Sequence, residues 1–242
     1  RMKDLVNRRK LDDRAILGKW ETFVIATVPD PLPGVPSALV IAGSDRRGAA
    51  FGVFEVSRTI GVSPWVWWAD VAPKRRETLV LAGGRHVQGP PSVKYRGIFL
   101  NAEDWGLRPW AAETFEPEVG HIGPKTYAQI FELLLRLKAN FMWPAMHEGT
   151  KAFNQFPSNK LVAERYAIVM GSSHAEPMLR DNVDEWPHDQ AAMGNPVTNL
   201  PAILQLSKFA ASDISYRFPS GRPTQIQAGV DATFLVDLLP QF

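Results

Sequence analysis

An α/β fold with parallel βαβ units is predicted for the middle of this 242-residue sequence, and three observations predict it. Between residues 93 and 174, apolar runs suited to buried strands alternate with two helical patterns. Each of the three strand candidates stops in polar or aromatic chemistry: Asn101-Ala102-Glu103-Asp104, then Trp143-Pro144-Ala145-Met146-His147-Glu148, then Ser172-Ser173-His174-Ala175-Glu176. In parallel α/β folds the binding groups sit at the carboxyl ends of strands, so the repetition points to one site built from several ends. A Gly/Pro-rich boundary, GPPS at 89–92, separates this region from a different regime before it. A barrel and an open sheet would both produce the pattern, and three units close neither.

The first regime opens with strand candidates at 20–28 and 38–42, separated by the turn-rich PDPLPGVPS. After Gly43-Ser44-Asp45, Ala49, Val53, Val56 and Ile60 recur at helical spacing, and Gly61 supplies a stop. Gly48 and Gly52 lie one turn apart on that helix, where they permit close approach of a neighbouring backbone. SPWVWWADVAPKRR leads to a further strand candidate, TLVLAG. Past the boundary, strand VKYRGIFLN runs into a loop over roughly 101–123. Helix KTYAQIFELLLRLKAN follows, its stripe formed by Tyr127, Ile130, Phe131, Leu134, Leu135 and Lys138. Pro124 suits its first turn and Asn140 a left-handed cap at its end. FMWPAM is the second strand, 159–166 is helical, and YAIVMGSSH is the third strand. Beyond Trp186 the periodicity is lost, and prolines at 187, 196, 201, 219, 223 and 240 interrupt any long element.

Composition narrows the function classes. The 27 basic and 25 acidic residues nearly cancel, which leaves no charge excess for nucleic acid or a membrane surface. The Lys74-Arg75-Arg76 cluster reads as a solvated turn. No apolar stretch approaches the roughly 20 residues that cross a bilayer, and the basic start is followed by no signal-peptide core. With no Cys, thiol catalysis and Cys-type zinc sites are excluded. The motifs of zinc hydrolases, serine hydrolases, phosphate loops and dinucleotide folds are missing, so neither metal nor cofactor is expected. Eight Trp, with Trp65, Trp67 and Trp68 within four positions, suit a sugar-binding cleft, although aromatics in such density are more often core material.

Paired carboxylates flanking a cleft are what glycoside hydrolysis requires, one protonated and one ionised. Glu103 and Asp104 are adjacent and point to opposite sides of an extended segment, so they are not two members of one catalytic pair. His174, at an apolar strand's end, reads as a hydrogen-bonded structural residue or a site residue. His147 with Glu148 has no metal-ligand spacing.

The blocks IAGSDRRGAAFGVFEVSRTIGVSPWVWWADV, PPSVKYRGIFLNAEDWG, FELLLRLKANFMWPAM and YAIVMGSSHAEPM together resemble glycoside hydrolase family 115, the xylan α-1,2-glucuronidases. The resemblance runs from the start of the chain to Trp186. It implies an inverting, metal-free enzyme that removes glucuronic acid or 4-O-methyl-glucuronic acid side groups from glucuronoxylan or its oligosaccharides. Its implied architecture is an amino-terminal α/β domain followed by a TIM-like (β/α)8 barrel. Residues 1–90 are then the end of the first domain, 91–186 the first βα units of the barrel, and 187–242 an unassigned tail, out of frame or disordered. The implied substrate-binding residues are Asn101, Glu103, Asp104, Trp143, His174 and Glu176, with the catalytic acids outside this chain. The expected parent is homodimeric and secreted or periplasmic. Two departures weaken sugar contacts: Ala102 stands where the family usually has Asp, and His147 where it usually has Trp. Since the tail matches nothing in the family's acidic continuation, the expectation is an open-reading-frame fragment. The alternative is a non-catalytic carbohydrate-binding fragment or an inactive pseudogene product.

Overall fold

The computed structural model describes Val6 and residues 11–101, 106–144 and 149–171. The 187–242 tail lies outside them. The chain divides into two compact units. One holds the residues up to Gly97 together with Ala128–Phe141 and Arg165–Ile168; the other holds Ile98–Tyr127, Met142–Glu164 and the chain from Val169. Among the described residues no helix is long and apolar enough to cross a membrane.

The first sheet has the order β2-β1-β3, built from β1 (Phe23–Leu32), β2 (Val35–Gly43) and β3 (Arg85–Gln88). β1 pairs antiparallel with both neighbours, Phe23 opposite Gly43 on one side and Gln88 on the other. Much of PDPLPGVPS, expected as a turn, is therefore strand. Its prolines are tolerated because β3 pairs only with Phe23–Ala26, so Pro29 and Pro31 occupy a stretch where β1 has a ladder on one side alone. The reversal is confined to Pro33-Gly34, with Gly34 at φ +78°. TLVLAG is not a strand: Val80 is 86% exposed, and pairing begins only at Arg85. Val24, Ala26, Val28 and Ala42 bury one face of the sheet with Leu11 and Ile16.

Helix α1 (Arg46–Thr59) starts at Asp45, whose Oδ1 accepts from Gly48 N at 2.7 Å while Oδ2 accepts from Glu21 N at 2.7 Å. Its buried face is Gly48, Phe51, Gly52 and Glu55. The expected stripe is not that face, and Val53 is 53% exposed. The glycines decide the orientation, as the close-approach reading anticipates. A Cβ on Gly48 would lie 2.5 Å from Thr22 O, and one on Gly52 would lie 2.6 Å from the Ile41 side chain. Gly48→Ala is therefore expected to destabilise by about 1–3 kcal/mol despite alanine's better helix propensity. Chemical denaturation checks this, and a stabilised variant would show that α1 can shift away from β1.

The second sheet has the order β4-β5-β6, from β4 (Gly97–Phe99), β5 (Phe141–Trp143) and β6 (Val169–Met170). Phe141 N donates to Arg96 O at 3.1 Å and Leu100 N to Trp143 O at 2.8 Å. These rungs advance in the same direction along both strands, so β4 and β5 are parallel. The strands are shorter than the apolar runs suggest. In the third run, Tyr166 still belongs to a helix and Ala167 takes φ +55° before β6 begins. The loop expected over 101–123 contains a short helix, α2 (Leu107–Trp110), continued by a π-helical turn at Ala111–Phe115. Glu116 N bonds to Ala111 O at 2.7 Å, and that five-residue spacing goes with Trp110 stacking on Phe115, centroids 4.9 Å apart.

Helix α3 (Pro124–Arg136) joins β4 to β5, and α4 (Pro157–Tyr166) joins β5 to β6. Tyr127, Ile130, Phe131, Leu134 and Leu135 are all buried, as their spacing predicts, and Pro124 opens the helix. The carboxyl end differs from expectation. Lys138, at φ +59°, takes the left-handed position, with Ala139 N bonded to Leu134 O and Lys138 N to Leu135 O in a Schellman arrangement. Asn140 is buried and serves elsewhere. Glycine would suit the Lys138 backbone better, but the Lys138 ammonium bonds Glu55 at 2.7 Å and Gln88 at 2.6 Å.

Glu55 makes stability pH-dependent. The Arg58 guanidinium, assisted by Lys138 and opposed by burial, holds its carboxyl down from 4.5 to about 2. Because the folded value is the lower one, this contribution is complete above the unfolded value and is lost as pH falls from about 4.5 towards 2. Glu55→Gln is expected to cost about 1–2 kcal/mol at pH 7, kept small by the exposure of Arg58. The unfolding midpoints of the two proteins should converge as pH falls to about 2, and a gap independent of pH would exclude the charge as its origin.

Candidate functional site

The strand ends place the site. Leu100 N, just past β4, bonds to Trp143 O at the end of β5, and Gly171 N, just past β6, bonds to Met142 O, each at 2.8 Å. The carboxyl ends of all three strands are thus hydrogen-bonded neighbours along one sheet edge. Asn101 is exposed at the end of β4 and Trp143 is half-buried at the end of β5. Of the sequence-predicted site residues the structure brings these two onto adjoining strand ends. Glu103, Asp104, His174 and Glu176 lie outside the described residues, as do Ala102 and His147.

Two buried titratable groups that sequence reasoning missed lie in the segment returning from β4 to α3. Glu116 is buried, and its carboxylate accepts from Gly123 N, Lys125 N and Thr126 N at 3.0–3.1 Å and from the Thr126 hydroxyl at 3.0 Å. It satisfies the orphan donors of the first turn of α3 and complements the positive end of the helix dipole. Gly123 carries no side chain because a Cβ there would lie 2.6 Å from Glu116 Oε1. The signal was an acid upstream of Gly-Pro-Lys-Thr at a helix start, at a range beyond that of a local capping box.

His121 is the second. Its Nε2 accepts from Lys151 N at 3.0 Å and lies 3.3 Å from Gly149 O. The shorter contact makes Nε2 the acceptor and places the proton on Nδ1. The ring also stacks on Phe156, centroids 6.2 Å apart. His121 thereby fixes the chain where it returns from the strand end of β5, a structural use of the histidine. Among the described residues no three His, Asp or Glu side chains gather as a metal site.

The aromatic cluster divides. Trp68 donates Nε1 to Gln129 O at 3.3 Å and meets Trp67 edge-on, centroids 4.8 Å apart. Trp65 is 46% exposed. The GSDRRG block is structural: Asp45 caps α1, Gly48 admits β1, and Arg47 pairs with buried Glu21.

The model of glycosyl hydrolase family 115 matches residues 88–209, just over half of the chain. The match continues past Trp186 into the stretch that sequence reading left unmatched. Among solved structures the chain is similar to a family 115 4-O-methyl-α-glucuronidase with specificity for decorated arabinogalactans. That similarity has 39% identity and a TM-score of 0.73 over 98% of this chain and 32% of that one. The chain thus spans about a third of that protein's length. No curated protein matches. A family match across the strand ends, joined to a structural likeness along nearly the whole chain, gives one assignment: this chain belongs to glycosyl hydrolase family 115.

Proposed function

We propose that this chain is part of a glycoside hydrolase that removes glucuronic acid or 4-O-methyl-glucuronic acid side groups from xylan by inverting hydrolysis. The observation that carries the reading is the adjacency of three strand ends, bearing Asn101 and Trp143, in a chain of this family. In this proposal β4, β5 and β6 are the first strands of a (β/α)8 barrel, and residues 1–90 end the preceding α/β domain. Asn101, Glu103, Asp104, Trp143, His174 and Glu176 line one wall of the uronic-acid pocket. The carboxylates accept from sugar hydroxyls, His174 donates to a hydroxyl or to the uronate, and the indole of Trp143 offers an apolar face to the ring.

Inversion requires a general acid and a general base about 6.5–9.5 Å apart, with a water between base and sugar. Neighbouring Glu103 and Asp104 do not supply both. At most one of them serves, and its partner comes from a further strand of the full-length enzyme. A second reading of the polysaccharide, decorated arabinogalactan, is favoured by the specificity of the similar glucuronidase.

The test compares the 242-residue chain with a full-length enzyme carrying it, on glucuronoxylan and on glucuronidated arabinogalactan. Uronic acid is expected from glucuronoxylan with the full-length enzyme alone, released with inverted anomeric configuration by NMR. Release only from arabinogalactan selects the second substrate, and release from neither overturns the hydrolase reading. Release by the chain alone, abolished by Asp104→Ala, would contradict the one-wall proposal.

A further inference from the structure

Glu21 combines two costly features. Its carboxylate is completely buried, and its backbone stands at φ +46°, a left-handed conformation unusual for a residue with a side chain. The backbone is held there by Asp45, whose Oδ2 accepts from Glu21 N at 2.7 Å. The carboxylate takes Arg47 Nε and Asn140 Nδ2 on one oxygen and Arg96 Nη2 on the other, each at 2.5 Å. Buried ion pairs contribute little net stability, because desolvation offsets attraction. Their attested use is to select one arrangement over close alternatives.

The partners of Glu21 sit at informative places. Arg96 immediately precedes β4, and its carbonyl accepts from Asn140 N at 2.8 Å and Phe141 N at 3.1 Å. Its guanidinium also binds the carbonyls of Val93, Lys94 and Lys138. Asn140 immediately precedes β5, and its Oδ1 accepts from Arg96 N at 2.9 Å. Arg47 donates Nη1 to Ala167 O at 2.9 Å, two residues before β6, at the left-handed turn that launches that strand. One carboxylate is therefore linked to the entry of all three strands.

We infer that Glu21 is a positioning residue: through Arg96, Asn140 and Arg47 it sets the register in which β4, β5 and β6 start, and so which residues emerge at their carboxyl ends. The strands have three, three and two residues, so few rungs of their own resist a slip. A slip of one residue turns every side chain to the opposite face. The inference deepens the proposed function by naming what presents the strand-end residues, and it rests on that reading for its importance. Its test does not, because it reads backbone exchange and no activity.

Amide hydrogen exchange by NMR on the whole chain separates positioning from bulk stability. Arg47→Lys keeps a cation beside Glu21 but loses the bond to Ala167 O, so exchange at Gly171 should rise at least tenfold while Leu100 stays protected. Arg96→Lys keeps the charge but loses the carbonyl contacts before β4, so Leu100 should be exposed and Gly171 spared. Glu21→Gln should affect both, while Phe131 and Leu134 in α3 keep their protection. Glu116→Gln, which weakens α3 without touching this network, is the control for general destabilisation. Uniform loss of protection in the lysine variants, matching that control, would overturn the inference, as would unchanged Leu100 and Gly171. Should Glu21→Gln fail to fold, the two lysine variants decide.

Discussion

In a full-length enzyme carrying this sequence, Asp104→Ala and His174→Ala are each expected to lower turnover or affinity for glucuronoxylan at least tenfold, with the melting temperature nearly unchanged. The sequence places Asp104 after β4 and His174 after β6, the strands flanking β5 in the observed order. In a barrel, side chains from strand ends so spaced converge on one ring. Losing a hydrogen-bonding partner in a desolvated site costs about 1–3 kcal/mol, roughly tenfold to a hundredfold, and more where a charge is stranded. A purely structural role predicts the reverse pairing: a lowered melting temperature, with activity per folded molecule intact. Steady-state kinetics and thermal melts on both variants separate the outcomes, and near-wild-type activity in either removes that residue from the site.

Glu116→Ala is expected to give the largest loss of stability among single changes around the strand ends. Four donors converge on that carboxylate, three of them backbone N–H groups at the start of α3. Removing it leaves them without the acceptor they are built around, at a cost of roughly 3–4 kcal/mol, or a drop in melting temperature of about 10 °C. Glu116→Gln, which keeps one oxygen but aims an amide at the same donors, should fall between alanine and the native protein. A loss under about 1 kcal/mol for the alanine variant would mean that water replaces the carboxylate without penalty.

How much of this was legible in the sequence depended on the range of the forces involved. The buried stripe of α3 was readable because five apolar side chains at helical spacing leave one way to pack. Gly48 and Gly52 were readable as a close approach, yet the apolar residues of α1 pointed to the wrong face, since glycines specify a contact by lacking a side chain. TLVLAG has strand composition but no partner, and pairing is not a local property. Lys138 took the left-handed cap in place of Asn140 because Glu55 and Gln88, 83 and 50 residues away, hold its ammonium. Glu21 and Glu116 were invisible as well, since an isolated glutamate in a sequence reads as surface. The environment of Glu21 is assembled from distant segments, whereas Glu116 meets donors seven to ten residues on, past the range of a local capping box. At the site, the strand ends carrying Asn101 and Trp143 were legible from the repetition of apolar run and polar stop.

The central claim is that the carboxyl ends of β4, β5 and β6 form one wall of the uronic-acid pocket. Hydrogen–deuterium exchange of the full-length enzyme, with and without saturating glucuronic acid, tests it most directly. Peptides spanning 97–106, 141–148 and 171–177 should all slow on binding, while peptides within β1 and β2 remain unchanged. Protection that spares all three strand-end peptides, in an enzyme that demonstrably binds the acid, would contradict the claim.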